Sequence, residues 1–207
     1  MRQTREELFN TLTHLGGTFL MSIVLVLLLY ETRFSVWEYS FSVLVFSISA
    51  ILMYASSTVY HWTLPGKLKN YLRYFDHISI YVLIAASYTP VLICGVGGET
   101  GWVMFCILWG FVIFGAFYKI FFLGKYPRVS LGIYLAMGWS GLFIARPVWN
   151  SLPTVALWFL FAEGLFYTIG SYFFARDLKH AYYHAVWHLF VLCGTLSHFA
   201  AMWYFLK

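Results

Sequence analysis

Charge is what this sequence has least of. Only 10% of its 207 residues are Asp, Glu, Lys or Arg, against about 25% in an ordinary soluble domain. With 61% apolar residues, that scarcity excludes both a water-soluble globular domain and a disordered chain. Cysteine is also sparse. Cys94, Cys106 and Cys193 are odd in number and fall inside apolar runs, so a disulfide scaffold is excluded and each reads as a small buried hydrophobe. No low-complexity stretch, linker or polar block large enough for a soluble domain interrupts the chain. The sequence therefore reads as one membrane domain over residues 1–207.

What is present is a series of apolar runs, each near the roughly 20 residues a helix needs to cross hydrocarbon. Seven can be delimited: Thr13 to Tyr30, Val36 to Trp62, Tyr74 to Cys94, Gly101 to Leu123, Val129 to Ala145, Thr154 to Ala175 and His184 to Leu206. Turn signals stand between them at Leu64-Pro65-Gly66, Gly95 to Gly98, Gly124 to Pro127 and Pro147 to Pro153. The expectation is an all-α, polytopic bundle of seven transmembrane helices. No small-residue cleavage site follows a short apolar core near the start, so the first span reads as retained and not as a signal peptide.

The net charge of +5 must be counted by loop before it means anything. Seven spans put Arg2, Arg5, Lys67, Lys69, Arg73, Lys119, Lys125, Arg128, Arg176 and Lys179 on the side of the amino terminus, leaving Arg33, Arg146 and Lys207 on the other. Basic residues gather on the cytoplasmic side, so this asymmetry predicts a cytoplasmic amino terminus and an outside carboxyl terminus. The excess reports orientation and contact with anionic lipid, and no nucleic-acid partner is expected. Lys119 lies close enough to the inner end of the fourth span to snorkel.

An ionisable residue inside a span is costly unless it is paired, coordinated or wet. Here these residues are His61 near the end of span two, Asp76 and His77 at the start of span three, Glu163 midway along span six, and His184, His188 and His198 along span seven. His184 and His188 are four apart, which on a helix places them about 40° apart in azimuth and about 6 Å along the axis, on one face. The topology brings His61, Asp76, His184 and His188 to one depth near the cytoplasmic face, and Ser57 sits one turn from His61 on the same side of its helix. Three neutral imidazoles with an open fourth position form a catalytic Zn²⁺ arrangement, although Fe, Ni and Cu also accept imidazole. Zinc lowers the pKa of bound water to about 7. Asp76 is the carboxylate placed to orient that water or take its proton; the alternative is a helix-start charge paired with Arg73 or a neighbouring lysine.

The remaining ionisable residues read differently. His77 points about 100° away from Asp76 and is expected to face a neighbouring helix or the interface. His198, about 15 Å beyond His188, cannot share the ion and reads as a packing residue or a polar group in a cavity. His14 is either near the metal or a surface imidazole. Glu163 has no basic partner evident at its depth; it reads as a cavity-lining carboxyl or a neutral acid hydrogen-bonded to Ser, Thr or Tyr. Gly164, Gly170 and Ser171 beside it allow close helix approach.

These motifs carry a resemblance. Ser57-Thr58-Val59-Tyr60-His61, Asp76 to Tyr81 leading to Ser87-Tyr88-Thr89-Pro90, Tyr134 to Trp139, Gly164 to Gly170 and His184 to Val191, in this order, resemble the bacterial hemolysin III family. That family belongs with the progestin and adipoQ receptors, and the likeness runs from about Glu6 through the last span. It implies a zinc ion held by His61, His184 and His188, with Asp76 and Ser57 acting through the metal-bound water. The adiponectin-receptor branch is associated with hydrolysis of ceramide, a lipid amide, and bacterial members with membrane-lipid homeostasis. One departure is that the glycine pair opening the sixth-span motif reads Glu163-Gly164 here.

Two functions follow as expectations. One is a zinc-dependent hydrolase of a lipid amide or ester, in the bacterial inner membrane, with membrane lipid or a fatty acid as its partner in the bundle. The other is a non-enzymatic zinc-stabilised protein, either a lipid sensor or a cytolysin. A retinal protein is disfavoured, since it needs a buried Schiff-base lysine and only Lys119 and Lys207 approach the spans. A transporter is disfavoured because no duplicated, broken helices are evident.

Overall fold

The computed structural model describes residues 4–32 and 36–206. Arg2, Arg33 and Lys207, three of the charges used to orient the chain, lie outside the described residues. The helices are α1 Arg5–Thr32, α2 Trp37–Trp62, α3 Lys67–Pro90, α4 Gly98–Phe122, α5 Pro127–Gly138, α6 Ala145–Ser151, α7 Thr154–Phe174 and α8 Tyr183–Phe205. No strand occurs among the described residues. Among the described residues, seven helical stretches are long and apolar enough to cross a membrane, α5 and α6 together forming the fifth. The chain is an all-α, multi-pass integral membrane protein.

Three boundaries differ from the hydropathy reading, each for a local reason. α1 begins at Arg5 and not Thr13, because Thr4 caps it: its Oγ1 accepts the Glu7 backbone N–H at 3.2 Å. This Thr4-x-x-Glu7 spacing is a helix start, and Glu6 and Glu7 suit the positive end of the helix dipole. α3 begins at Lys67, directly after Gly66, so its first turns project beyond the apolar run. The fifth span is broken. α5 ends at Gly138, a 3₁₀ turn spans Ser140–Ile144, and α6 carries Pro147 in its first turn, where a missing N–H costs little. Tyr88 repairs the break: its hydroxyl donates to the Gly138 carbonyl and accepts the Gly141 N–H at 2.9 Å. Irregular backbone at membrane depth needs such partners.

α3 is also irregular at its far end, where Pro90 is followed by a π-helical turn, Val91–Val96. Proline removes one intrahelical hydrogen bond, and the widened turn absorbs the change.

The helices pack as an incomplete ring. α7 lies along α8, α8 against α1, α1 against α2, α2 against α3, and α3 against α4 and α5. Contact between α5 and α7 is slight, so the ring is weakest there. Gly170 and Gly194 set the close α7–α8 approach: a Cβ on Gly170 would lie 2.7 Å from the Phe190 Cβ, and one on Gly194 would lie 2.7 Å from the Tyr167 ring. One apolar core joins α1, α2 and α8 around Met21, Phe46, Tyr54 and Met202. A second joins α3, α4 and α5 around Tyr81, Leu108, Tyr134 and Met137.

The cysteine expectation holds only in part. Cys94 is half-buried, with its thiol on the Ser42 hydroxyl at 3.2 Å, whereas Cys106 and Cys193 are exposed on the outer surface. Lipid is as apolar as a core, so an apolar run does not tell a buried thiol from a lipid-facing one.

Candidate metal centre and membrane cavity

One end of the bundle gathers the start of α1, the end of α2, the start of α3 and the start of α8. Glu6 on α1 reaches the last connection, where its Oε1 accepts the Tyr182 backbone N–H at 3.0 Å. Tyr182 holds a left-handed backbone, φ 63°, immediately before α8. The turn of α8 that carries His184 and His188 is thereby fixed against α1.

His61, His184 and His188 form a cluster in which one ring nitrogen from each lies within 4.8 Å of the others. Ring centroids are separated by 5.0 Å for His61 and His184, 5.1 Å for His61 and His188, and 4.6 Å for His184 and His188. His61 and His188 are buried and His184 is partly buried. Three histidines from two helices are thus close enough to hold a metal ion.

The other ring nitrogen of each is committed elsewhere. His61 Nδ1 lies 2.6 Å from Glu7 Oε2, and His184 Nδ1 lies 2.7 Å from Asp177 Oδ2. His188 Nδ1 lies 3.3 Å from the Asn10 carbonyl and 3.1 Å from Thr13 Oγ1. An acceptor on Nδ1 holds the proton there and leaves Nε2 as a lone-pair donor, the arrangement that orients metal-ligating histidines. Glu7 is itself anchored by Lys69, whose Nζ donates to Oε1 at 2.6 Å. The donor set of three oriented neutral imidazoles without an anionic ligand fits Zn²⁺.

Asp76 and Ser57 stand beside this cluster. Both are buried, the Ser57 hydroxyl is a hydrogen-bonding neighbour of the Asp76 carboxylate, and both residues line the same cavity as His184 and His188. Each of the five sequence-derived positions therefore lies at one end of the bundle. His77 faces a neighbouring helix as expected, with Nδ1 3.4 Å from Lys119 Nζ on α4.

Several residues at the site escape a reading of the sequence. Glu7 and Asn10 precede the apolar run of the first span, Thr13 stands at its very start, and Asp177 falls in a connection between spans. The Thr4-x-x-Glu7 spacing is the signal that α1 starts early enough to bring the first three into the bundle. His14, for which the sequence leaves both the metal neighbourhood and the surface open, is 3% exposed and stacks on His188 with centroids 3.5 Å apart.

Lys119 does not snorkel. It is 3% exposed, its ammonium donates to Ser130 Oγ, and it lies 5.1 Å from the centre of the Tyr134 ring. Hydropathy places it at a span end, but hydroxyl, imidazole and aromatic partners on α3 and α5 hold it inside.

A cavity of about 640 Å³ extends from the histidine cluster into the bundle. His14, Ser57, Asp76, His184 and His188 line one end. Trp158 and Phe161 of α7 line its wall and are 66% and 49% exposed, so the cavity is not closed beside α7. Deeper, about 15 Å beyond His188 by helical rise, Glu163 and His198 also line it. These two are partners, with His198 Nδ1 2.8 Å from Glu163 Oε2. Glu163 therefore does have an imidazole partner at its depth, supplied by the α7–α8 register, which a single-helix reading cannot see.

Known proteins are similar to this chain in sequence. A sequence model of the family described as "Haemolysin-III related" matches residues 2–199. The hemolysin-3 homolog of Bacillus subtilis is 36% identical, covering 94% of this chain and 92% of its own length. Hemolysin-3 of Bacillus cereus is 31% identical over 98% of this chain and 93% of its own. The human monocyte to macrophage differentiation factor is also 31% identical, over 97% and 84% respectively. With nearly full-length similarity and seven spans in the same chain, this protein belongs to the haemolysin-III family.

Proposed function

We propose that the chain is a zinc-dependent intramembrane hydrolase of a lipid amide or ester, with the histidine end of the bundle on the cytoplasmic side. The observation that carries this reading is the junction of three oriented imidazoles with an Asp76–Ser57 pair at one end of a largely apolar cavity inside the bundle.

His61, His184 and His188 would hold the ion through Nε2, while Glu7, Asp177 and the Asn10 carbonyl keep their Nδ1 protons in place. When bound there, zinc supplies Lewis-acid polarisation of a carbonyl and of water. Asp76 accepts the proton of the attacking water at a carboxylate oxygen and returns it to the leaving nitrogen or oxygen as the acyl bond breaks. Ser57 positions that carboxylate through its hydroxyl. The apolar walls take the acyl chain and exclude bulk water. The test is turnover of a fluorescent lipid amide by purified protein: Asp76→Ala should lose turnover while keeping metal and fold, and full turnover by metal-stripped protein would refute the reading.

A second reading has one observation in its favour. The cluster and its partners tie α1, α2, α8 and the loop carrying Asp177 together, which is what a structural ion does. The protein would then be a zinc-stabilised lipid sensor or a cytolysin, as the hemolysin names of the Bacillus relatives suggest. Under that reading, Asp76→Ala leaves membrane function intact and only the histidine variants impair it.

A further inference from the structure

Glu163 and His198 are buried ionisable groups that chemistry at the histidine cluster leaves unused. Glu163 is 9% exposed and His198 is 1% exposed. His198 Nδ1 is bound to Glu163 Oε2 at 2.8 Å, and its ring lies against Phe46 with centroids 4.6 Å apart. Its Nε2 is buried and has no hydrogen-bond partner. Leaving a buried polar atom unsatisfied costs about 1–3 kcal/mol, and ionisable side chains at this depth carry a further cost. An apolar pair would brace α7 against α8 without either. Both residues line the cavity, so a group that enters the cavity is the nearest candidate partner for them.

The chemistry of that group is narrow. In its neutral form, with the Nδ1 proton directed at Glu163, the imidazole leaves Nε2 as an acceptor, so the ligand must donate. The Glu163 carboxyl disfavours a carboxylate or phosphate, and an ammonium would have to be stripped of water among apolar walls. A hydroxyl meets the requirement at the smallest desolvation cost. We propose that Glu163 and His198 form a second polar subsite, which takes a hydroxyl carried partway along the acyl chain of a lipid bound in the cavity. The subsite lies about 15 Å beyond His188 along the axis of α8, so the hydroxyl falls about a dozen carbons from the group held at the histidine cluster. The inference rests on the cavity being a lipid site, but not on hydrolysis.

The test uses full-length protein in nanodiscs and two probes, 12-hydroxyoctadecanoic acid and octadecanoic acid, with binding read by native mass spectrometry. Wild type should prefer the hydroxylated acid about five- to tenfold, the worth of one or two net hydrogen bonds. The Glu163→Leu, His198→Phe double variant should bind both acids equally. Should that variant fail to fold, His198→Asn, whose amide N–H can replace Nδ1–H toward Glu163 but which has no counterpart of Nε2, should lower the preference at least threefold. Binding of both acids without preference by wild type, or a preference that survives these substitutions, overturns the subsite alone. Binding of neither acid overturns the lipid reading of the cavity and the subsite with it. Lost turnover with preference intact counts against hydrolysis only.

Discussion

Glu7 and His61, 54 positions apart, meet at 2.6 Å, the carboxylate on the first turn of α1 holding Nδ1 of an imidazole on the last turn of α2. The contact fixes the ring so that its other nitrogen serves the cluster. Glu7→Gln should therefore lower zinc affinity about 10- to 100-fold, the usual cost of removing a partner that orients a metal-ligating histidine. Competition against a chromogenic chelator reads this directly; unchanged affinity would show that Glu7 is a surface charge with no part in the site.

Asp76→Asn separates chemistry from metal binding. The variant keeps its shape and should retain zinc at wild-type stoichiometry, while hydrolysis of a lipid amide falls about 10²- to 10⁴-fold, the contribution of a general base. Ser57→Ala should give a smaller loss of the same kind. Loss of zinc in Asp76→Asn would make the carboxylate part of the metal site.

Gly170 tests the α7–α8 seam. Gly170→Val should destabilise the protein by about 1–3 kcal/mol, since the new Cβ meets the Phe190 Cβ at 2.7 Å and neither helix can retreat without breaking the seam. Thermal unfolding in detergent is the measurement. Gly110, where a Cβ would have no neighbour within 4 Å, is the control, and Gly110→Ala should be neutral or slightly stabilising.

Orientation is testable with single cysteines introduced after replacing Cys94, Cys106 and Cys193. Leu178→Cys, in the last connection at a position 96% exposed, should react with an impermeant maleimide only after cells are opened. Asn150→Cys, exposed on α6 at the opposite end, should react in intact cells. The reverse pattern would invert the orientation read from Lys and Arg.

What is legible in the sequence is whatever repeats with the helix or the bilayer. Hydropathy locates seven spans, and the four-residue spacing of His184 and His188 places both imidazoles on one face. Hidden features depend on contacts between distant segments. Glu7 is hidden because charged residues at a span edge read as loop, although Thr4 extends the helix through them. The break after Gly138 is hidden because its repair comes from Tyr88, 50 residues earlier. Lys119 and Glu163 differ from expectation for the same reason: their partners Ser130 and His198 sit on other helices whose register no single run reveals.

Metal analysis of the purified protein is the most direct test of the central claim. One zinc per chain in wild type, lost when His184 and His188 are both replaced by Ala, is the expected result. A metal-free wild type that keeps full stability and lipid turnover would contradict it.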